Sequence, residues 1–228
     1  MNIKFMFNMI DHQIAIVDYG MGNLFNVQCA CARVGLRSIV TADKDIIRSS
    51  DALILPGVGA FGDAMNNLTQ LDLVGVIKDH IGAQKPFLGI CLGMQLLLSE
   101  SEEFGGHKGL DIFKGQVVKF CNTDQQQQGI KVPQVGWNQI HFQRHEDLLQ
   151  GINKAEYMYF VHSYYAVPED AGVVLTTTRY EHVEYCSSFL KGSVFAMQFH
   201  PEKSGLAGLR LYENWAQYVH KNKELIKK

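Results

Sequence analysis

"PFLGICLGMQLLL", residues 86–98, decides how the rest of the chain is read. Its first half is a continuous apolar run, short enough for a strand buried on both faces. Its second half changes to a helical spacing. Cys91 stands at the junction, with Gly89 two residues before it and Gly93 two residues after. Gly-x-Cys-x-Gly between an apolar strand and a helix has the form of a nucleophile elbow. A sharp, strained turn lifts the side chain off the sheet, and residues two away come too close to other backbone to carry a Cβ. The turn also sets the sulfur at a helix N-terminus, where the dipole and free N–H groups favour thiolate. The N–H of Leu92 points into the same space and is a candidate oxyanion donor. Against this, a cysteine at a strand end is more often a small buried apolar residue. The elbow therefore needs partners before it means catalysis.

Working outward, "IAIVDY" (14–19), "RSIVTA" (37–42) and "DALILPGVG" (51–59) read as further strands. Residues 23–35 and 61–82 read as helices between them, the second with Leu68, Leu71 and Val74 among its apolar positions. "MQLLLSES" (94–101) reads as the next helix. Apolar strands alternating with helices predict a mostly parallel central sheet covered on both faces, with ligands beyond the carboxyl ends of the strands. The second half is richer in strands: residues 111–120, 136–142, 158–167, 172–180 and 193–200. A last helix is expected over 205–222, with Leu209, Tyr212, Trp215 and Val219 on its inner stripe. "NTDQQQQGIK" (122–131) reads as an exposed polar loop. No internal repeat and no linker divides the chain, so one α/β domain with extra strands in its second half is expected.

The 228 residues are 46% hydrophobic and 19% charged, enough for a sizeable core. A net charge of −2 argues against a general nucleic-acid binder or a polybasic membrane surface. Five cysteines, Cys29, Cys31, Cys91, Cys121 and Cys186, form neither an even set nor a zinc spacing. A reduced, cytoplasmic setting is the simplest reading. The first residues lack a signal-peptide core, and no apolar run approaches the ~18 residues of a membrane helix.

A thiolate nucleophile needs a general base, ordinarily a His oriented by a carboxylate. "FAMQFHPEKSG" (195–205) offers one. If the chain stays extended through Pro201, His200 and Glu202 project to the same side, and both lie at a strand's carboxyl end. "LPGVGAF" (55–61) leaves its strand on a Pro-Gly-x-Gly turn. There the N–H of Gly57 or Val58 could face a tetrahedral intermediate. No Lys-Ser/Thr follows, so a phosphate loop is disfavoured.

Taken together, "VDYGMGN", "LPGVGAF", "GICLGMQ", "VGWN", "YFVHSYYA" and "QFHPEKS", spread from residue 17 to 204, resemble a class I (triad) glutamine amidotransferase. "GMGN", "PGVGAF", "GWN" and "FVHSYY" narrow the resemblance to the glutaminase subunits of imidazole glycerol phosphate synthases, in histidine biosynthesis. The resemblance implies a flavodoxin-like fold over residues 13–222, with 1–12 an extension outside the match. It implies that Cys91 attacks the glutamine side-chain amide, that His200 moves the proton and that Glu202 orients His200. Leu92 and Val58 would hold the oxyanion, Val58 after its peptide flips. Gln95, Glu103, Ser163 and Tyr164 match substrate-binding positions, Glu103 receiving the α-amino group. No cofactor and no metal is implied. The ammonia needs an acceptor subunit, in this family a cyclase with a (β/α)8 barrel. Asn23, Trp137, Asn138, Tyr159 and Lys203 match positions near that junction.

Some residues depart from the pattern: Gln134 stands where the family often carries His, and Phe25-Asn26 where a basic or small residue is frequent. They keep open a paralogous subunit that supplies ammonia for aminating a sugar nucleotide in surface-polysaccharide synthesis. A non-catalytic binding module, or a cysteine hydrolase or peptidase on the same fold, is disfavoured by the intact Cys91, His200, Glu202 set and by Gln95 and Glu103.

Overall fold

The computed structural model describes residues 10–120 and 130–226. The glutamine tract and Cys121 lie outside the described residues, as does most of the N-terminal extension. The first half runs β1 (Ile10–Val17), α1 (Leu24–Arg33), β2 (Leu36–Thr41), α2 (Lys44–Ser49), β3 (Ala52–Gly57), α3 (Phe61–Gln70), α4 (Val74–Gly82), β4 (Phe87–Cys91) and α5 (Leu92–Gln95). There follow β5 (Leu98–Ser101), β6 (His107–Lys108), β7 (Phe113–Lys119), β8 (Gln134–Phe142), β9 (Ala155–His162) and β10 (Tyr164–Pro168). The chain then forms β11 (Val174–Tyr180), β12 (Val183–Lys191), β13 (Val194–Met197) and α6 (Gly205–Ile226).

The strands form one sheet, in the order β2-β1-β3-β4-β13-β12-β10-β7-β5-β6, with β11, β8 and β9 branching from β12. The first five in that order are parallel neighbours, the expected central parallel sheet. From β12 outward the pairing is mixed and chiefly antiparallel. Successive β1 residues point to opposite faces, and both faces are covered. Ile14 and Ile16 join the core under α1 and α6, while Ala15 and Val17 join the core under α3 and α4. That double burial is why these strands read as unbroken apolar runs.

Several expectations are corrected. The helix read over 61–82 is two helices, because Asp72 takes a left-handed conformation (φ +53°) and turns the chain between them. Leu71 falls in that break and is largely exposed. The "MQLLLSES" helix ends at Gln95, and Leu98–Ser101 is instead β5, paired with β6 and β7. Leu96, Leu97 and Leu98 are all buried, so they carry no amphipathic period to tell helix from strand. The strand read over 158–167 is two strands parted at Ser163. β12 was not foreseen at all. In α6 the inner stripe holds: Tyr212, Trp215 and Val219 are buried and Leu209 packs against the same core. Among the described residues no helix is long and apolar enough to cross a membrane.

Candidate active site

Because β1, β3, β4 and β13 run parallel, their carboxyl ends open at one edge of the sheet. Cys91 ends β4 there with φ +54° and ψ −111°, a conformation almost confined to glycine. The close approaches expected of an elbow are present. A Cβ on Gly93 would lie 1.8 Å from the Leu55 carbonyl oxygen on the neighbouring strand. One on Gly89 would lie 3.0 Å from the Ala196 Cβ. The helix behind the elbow, however, is only four residues long. The anticipated macrodipole is therefore slight, since few peptide dipoles align.

His200 and Glu202 come together, though not on an extended strand. The strand stops at Met197, and Pro201–Lys203 forms a single 3-10 turn. That turn brings the His200 Nδ1–H to the Glu202 Oε1 at 2.8 Å, with both side chains almost wholly buried. The backbone of His200 is clamped: its N–H donates to the Tyr159 carbonyl at 2.9 Å, and its own carbonyl accepts from Ser204 Oγ at 2.6 Å. With Nδ1 on Glu202, Nε2 has no hydrogen-bond partner among the described residues and is left available to Cys91. Burial by itself would lower the His200 pKa. The nearby Cys91 charge, then the hydrogen bond and charge of Glu202, outweigh burial and raise it to about 10. The imidazole of His200 thus favours its protonated form. The nearby His162 is the opposite case. Burial pushes its pKa down to about 4, the Tyr164 carbonyl opposing and the His200 charge assisting. One buried histidine is therefore kept charged and its neighbour neutral.

A cavity of about 290 Å³ opens over Cys91, lined by Val58, Leu92, Gln95, Glu103, Ser163 and Tyr164 among others. This is at the small end of ligand sites, a size for one small polar molecule. It gathers the expected nucleophile, two of the three oxyanion candidates and all four substrate candidates. Gly57 is not at its wall. A Cβ there would meet Tyr19 Oη at 2.3 Å and the Leu92 Cβ at 2.8 Å, so Gly57 is glycine for packing. The Tyr19 hydroxyl donates to the Pro56 carbonyl at 2.9 Å and so braces the turn from beneath. Glu103 is buried, and its Oε2 accepts the Phe61 N–H at 2.7 Å, tying the cavity wall to the first turn of α3. Gln95 donates both amide hydrogens inward, to the Tyr164 carbonyl and to Gln198 Oε1, each at 2.9 Å. Its carbonyl oxygen is left as the group to offer a ligand.

Reasoning from sequence missed Gln198, whose Nε2 donates to Cys91 Sγ at 3.5 Å. The signal was an amide inside the apolar run "FAMQF", two residues before His200. It also missed Pro133, Val161 and His162 in the cavity wall.

The expected junction residues separate into two groups. Trp137 is 55% exposed and faces Tyr159 across β8 and β9, with ring centroids 6.1 Å apart. Lys203 Nζ stands 5.7 Å over the Tyr159 ring. Val135 and Tyr157 extend the same exposed apolar strip. Asn138 points the other way, its Nδ2 donating to the Arg179 carbonyl at 2.9 Å. Asn23 is half-buried at the start of α1. Gln134, the departure from the family pattern noted above, is buried and accepts from the Tyr185 hydroxyl at 3.0 Å.

The chain matches the family model "Glutamine amidotransferase class-I" over residues 15–216. It is 51% identical to the imidazole glycerol phosphate synthase subunit HisH of Syntrophotalea carbinolica, covering 89% of this chain and 98% of that one. It is 48% identical to the protein of the same name from Aquifex aeolicus, covering 90% and 97%. Among solved structures it is similar to PurLQS from Thermotoga maritima, with a TM-score of 0.71 at 17% identity, covering 91% of this chain and 99% of that one. A glutamine amidotransferase from Thermotoga maritima gives a TM-score of 0.57 at 14% identity, covering 93% and 85%.

Proposed function

The chain belongs to the class-I glutamine amidotransferase family, and on that premise we propose how its site works: as the glutaminase subunit of an imidazole glycerol phosphate synthase in histidine biosynthesis, with Cys91, His200 and Glu202 as its triad. The observation that carries the reading is a strained cysteine elbow at the wall of a small cavity, with a buried His–carboxylate pair close enough to feel its charge.

In this reading L-glutamine lies with its side-chain amide over Cys91. Glu103 receives the α-amino group, the Gln95 carbonyl oxygen accepts a further ligand N–H, and Ser163 and Tyr164 close the wall. The Cys91 thiolate adds to the amide carbon, forming a C–S bond and an oxyanion. The N–H groups of Leu92 and Val58 hold that oxyanion, Val58 after its peptide turns. The imidazolium of His200 gives its Nε2 proton to the amide nitrogen, the C–N bond breaks, and ammonia leaves. Water then adds to the glutamyl thioester with His200 as base, and the C–S bond breaks to give glutamate and the free thiolate. Glu202 keeps Nδ1 protonated and offsets the imidazolium charge. No step needs a metal or cofactor.

The ammonia passes to a cyclase partner, a (β/α)8 barrel seated on the Trp137, Tyr159 and Lys203 strip. An exposed strip of aromatic residues is a common composition for such a surface. The residues 13–222 form the working domain. The sugar-nucleotide reading loses support because Gln134 is an interior residue that holds Tyr185, not a surface residue able to select a partner. The test is genetic and chemical. The gene should restore growth without histidine to a strain lacking this subunit, and Cys91→Ala should not. With the cyclase subunit present, the protein should release glutamate from glutamine. No rescue, or glutamate release that survives Cys91→Ala, refutes the proposal.

A further inference from the structure

Gln198 is fully buried just beyond β13. A buried primary amide is unfavourable unless its polar atoms are paired, and here both ends are paired inside the site. Its Nε2 donates to Cys91 Sγ at 3.5 Å, and its Oε1 accepts from Gln95 Nε2 at 2.9 Å. The direction of that amide is forced. Gln95 Nε2 also donates to the Tyr164 main-chain carbonyl at 2.9 Å. A carbonyl can only accept, so the nitrogen of Gln95 must face it. The atom of Gln198 within reach of that nitrogen must then be oxygen, which turns the Gln198 nitrogen to the sulfur. One backbone oxygen thus orients a relay of hydrogens that ends on the nucleophile. The backbone holds the relay in place, the Gln198 N–H donating to the Ser187 carbonyl at 2.9 Å. Phe199 packs into the core against Phe160, with ring centroids 5.6 Å apart, and so separates Gln198 from His200 along the chain.

We propose that Gln198 is a positioning residue for the glutaminase: it donates a hydrogen bond that steadies the Cys91 thiolate over the elbow, and Gln95 sets the direction of that bond. The inference rests on Cys91 being the nucleophile. A donor aimed at sulfur favours the anion over the thiol. Gln95 then has two duties, its oxygen facing the substrate and its nitrogen fixing Gln198. The two glutamines act as a unit, and their removal is not additive.

The experiment measures the pH profile of Cys91 alkylation by iodoacetamide in the full chain, read on the Cys91 peptide by mass spectrometry. The variants are Gln198→Met, Gln198→Glu and Gln95→Met. One hydrogen bond to a charged group corresponds to an upward shift of the alkylation midpoint of about 1–2 pH units. Gln198→Met should show that shift and Gln198→Glu a larger one, because an ionised carboxylate repels thiolate. Gln95→Met should also raise the midpoint, and the double variant should go no further than Gln198→Met. With the cyclase subunit present, kcat for glutamine hydrolysis should fall about tenfold or more in Gln198→Met, while KM changes little. A merely structural role would lower the unfolding temperature and leave the midpoint in place. Midpoints unchanged in the folded variants overturn the proposal. If Gln198→Met does not fold, Gln198→Glu, which keeps the shape, and Gln95→Met, which leaves Gln198 in place, decide it. Failure of wild-type Cys91 to alkylate, or of the wild type to hydrolyse glutamine, would instead overturn the nucleophile assignment.

Discussion

Replacing Cys91 by glycine should make the protein more stable than replacing it by alanine. At an ordinary position the reverse holds, because glycine gives the unfolded chain more freedom and costs about 0.5–1 kcal/mol relative to alanine. At Cys91 the backbone stands at φ +54° and ψ −111°. Holding a residue with a Cβ in such a region costs about 1–3 kcal/mol. Alanine keeps that strain and glycine removes it. The balance favours glycine by about 0.5–2 kcal/mol. For a chain of this size, about 2–4 °C in unfolding temperature corresponds to 1 kcal/mol. Cys91→Gly should therefore melt about 1–8 °C above Cys91→Ala. Both lack the thiol, so catalysis does not confound the comparison. Scanning calorimetry, supported by urea unfolding, measures it. An alanine variant as stable as the glycine variant, or more so, would show that the elbow stores no strain and would sink the argument from backbone geometry.

Three further outcomes are expected. His200 has a folded pKa of about 10 against an ordinary 6.5. Its contribution to stability is present in full below about pH 6.5 and is lost as pH rises through 10. Because Cys91 is the largest influence raising that pKa, Cys91→Ala should move the His200 titration, followed by NMR of the ring proton, to clearly lower pH and flatten the loss of stability between pH 7 and 10. Gly93→Ala drives a Cβ into the Leu55 carbonyl, so urea unfolding should show a loss of about 3 kcal/mol, the top of the overpacking range, together with loss of glutaminase. Glu103→Gln keeps an oxygen for the Phe61 N–H but loses the charge for a substrate ammonium. Steady-state assays should show KM for glutamine up about tenfold or more, with stability changed by under about 1 kcal/mol.

What sequence could show was set by how far each signal depends on distant partners. The elbow was legible because a turn this sharp restricts residue type locally, and the glycines at 89 and 93 record contacts that any Cβ would violate. His200 and Glu202 were legible as a pair two residues apart, but the turn that joins them was not. Proline at 201 permits an extended chain and a 3-10 turn alike, and packing of α6 and β9 selects the turn. Leu96–Leu98 was misread because a fully buried run has no polar side to set its period; Leu96 and Leu97 form a turn, and Leu98 begins β5, which pairs with β7. Glu103 came into view only through the family resemblance, and Gln198 not at all. Both act through partners more than 40 positions away, Phe61 and Cys91, and nothing in the local sequence names those partners.

The strand order has a consequence for how the protein is made. β4 lies between β3 and β13, and Gln198, just past β13, meets Cys91 across 107 positions of chain. A growing polypeptide that has emerged through residue 91 can pair β4 with β3, but its other side stays open until the β12–β13 hairpin is synthesised and inserts. Such distant pairing is slow, and an open apolar edge invites association with other chains. Truncations ahead of residue 197 should therefore yield aggregates, not weaker enzymes. The same timing protects the cell's glutamine. The thiol is in place early, yet its base, its orienting carboxylate and its hydrogen-bond donor all lie beyond β13, so an unfinished chain has a cysteine but no means to release ammonia.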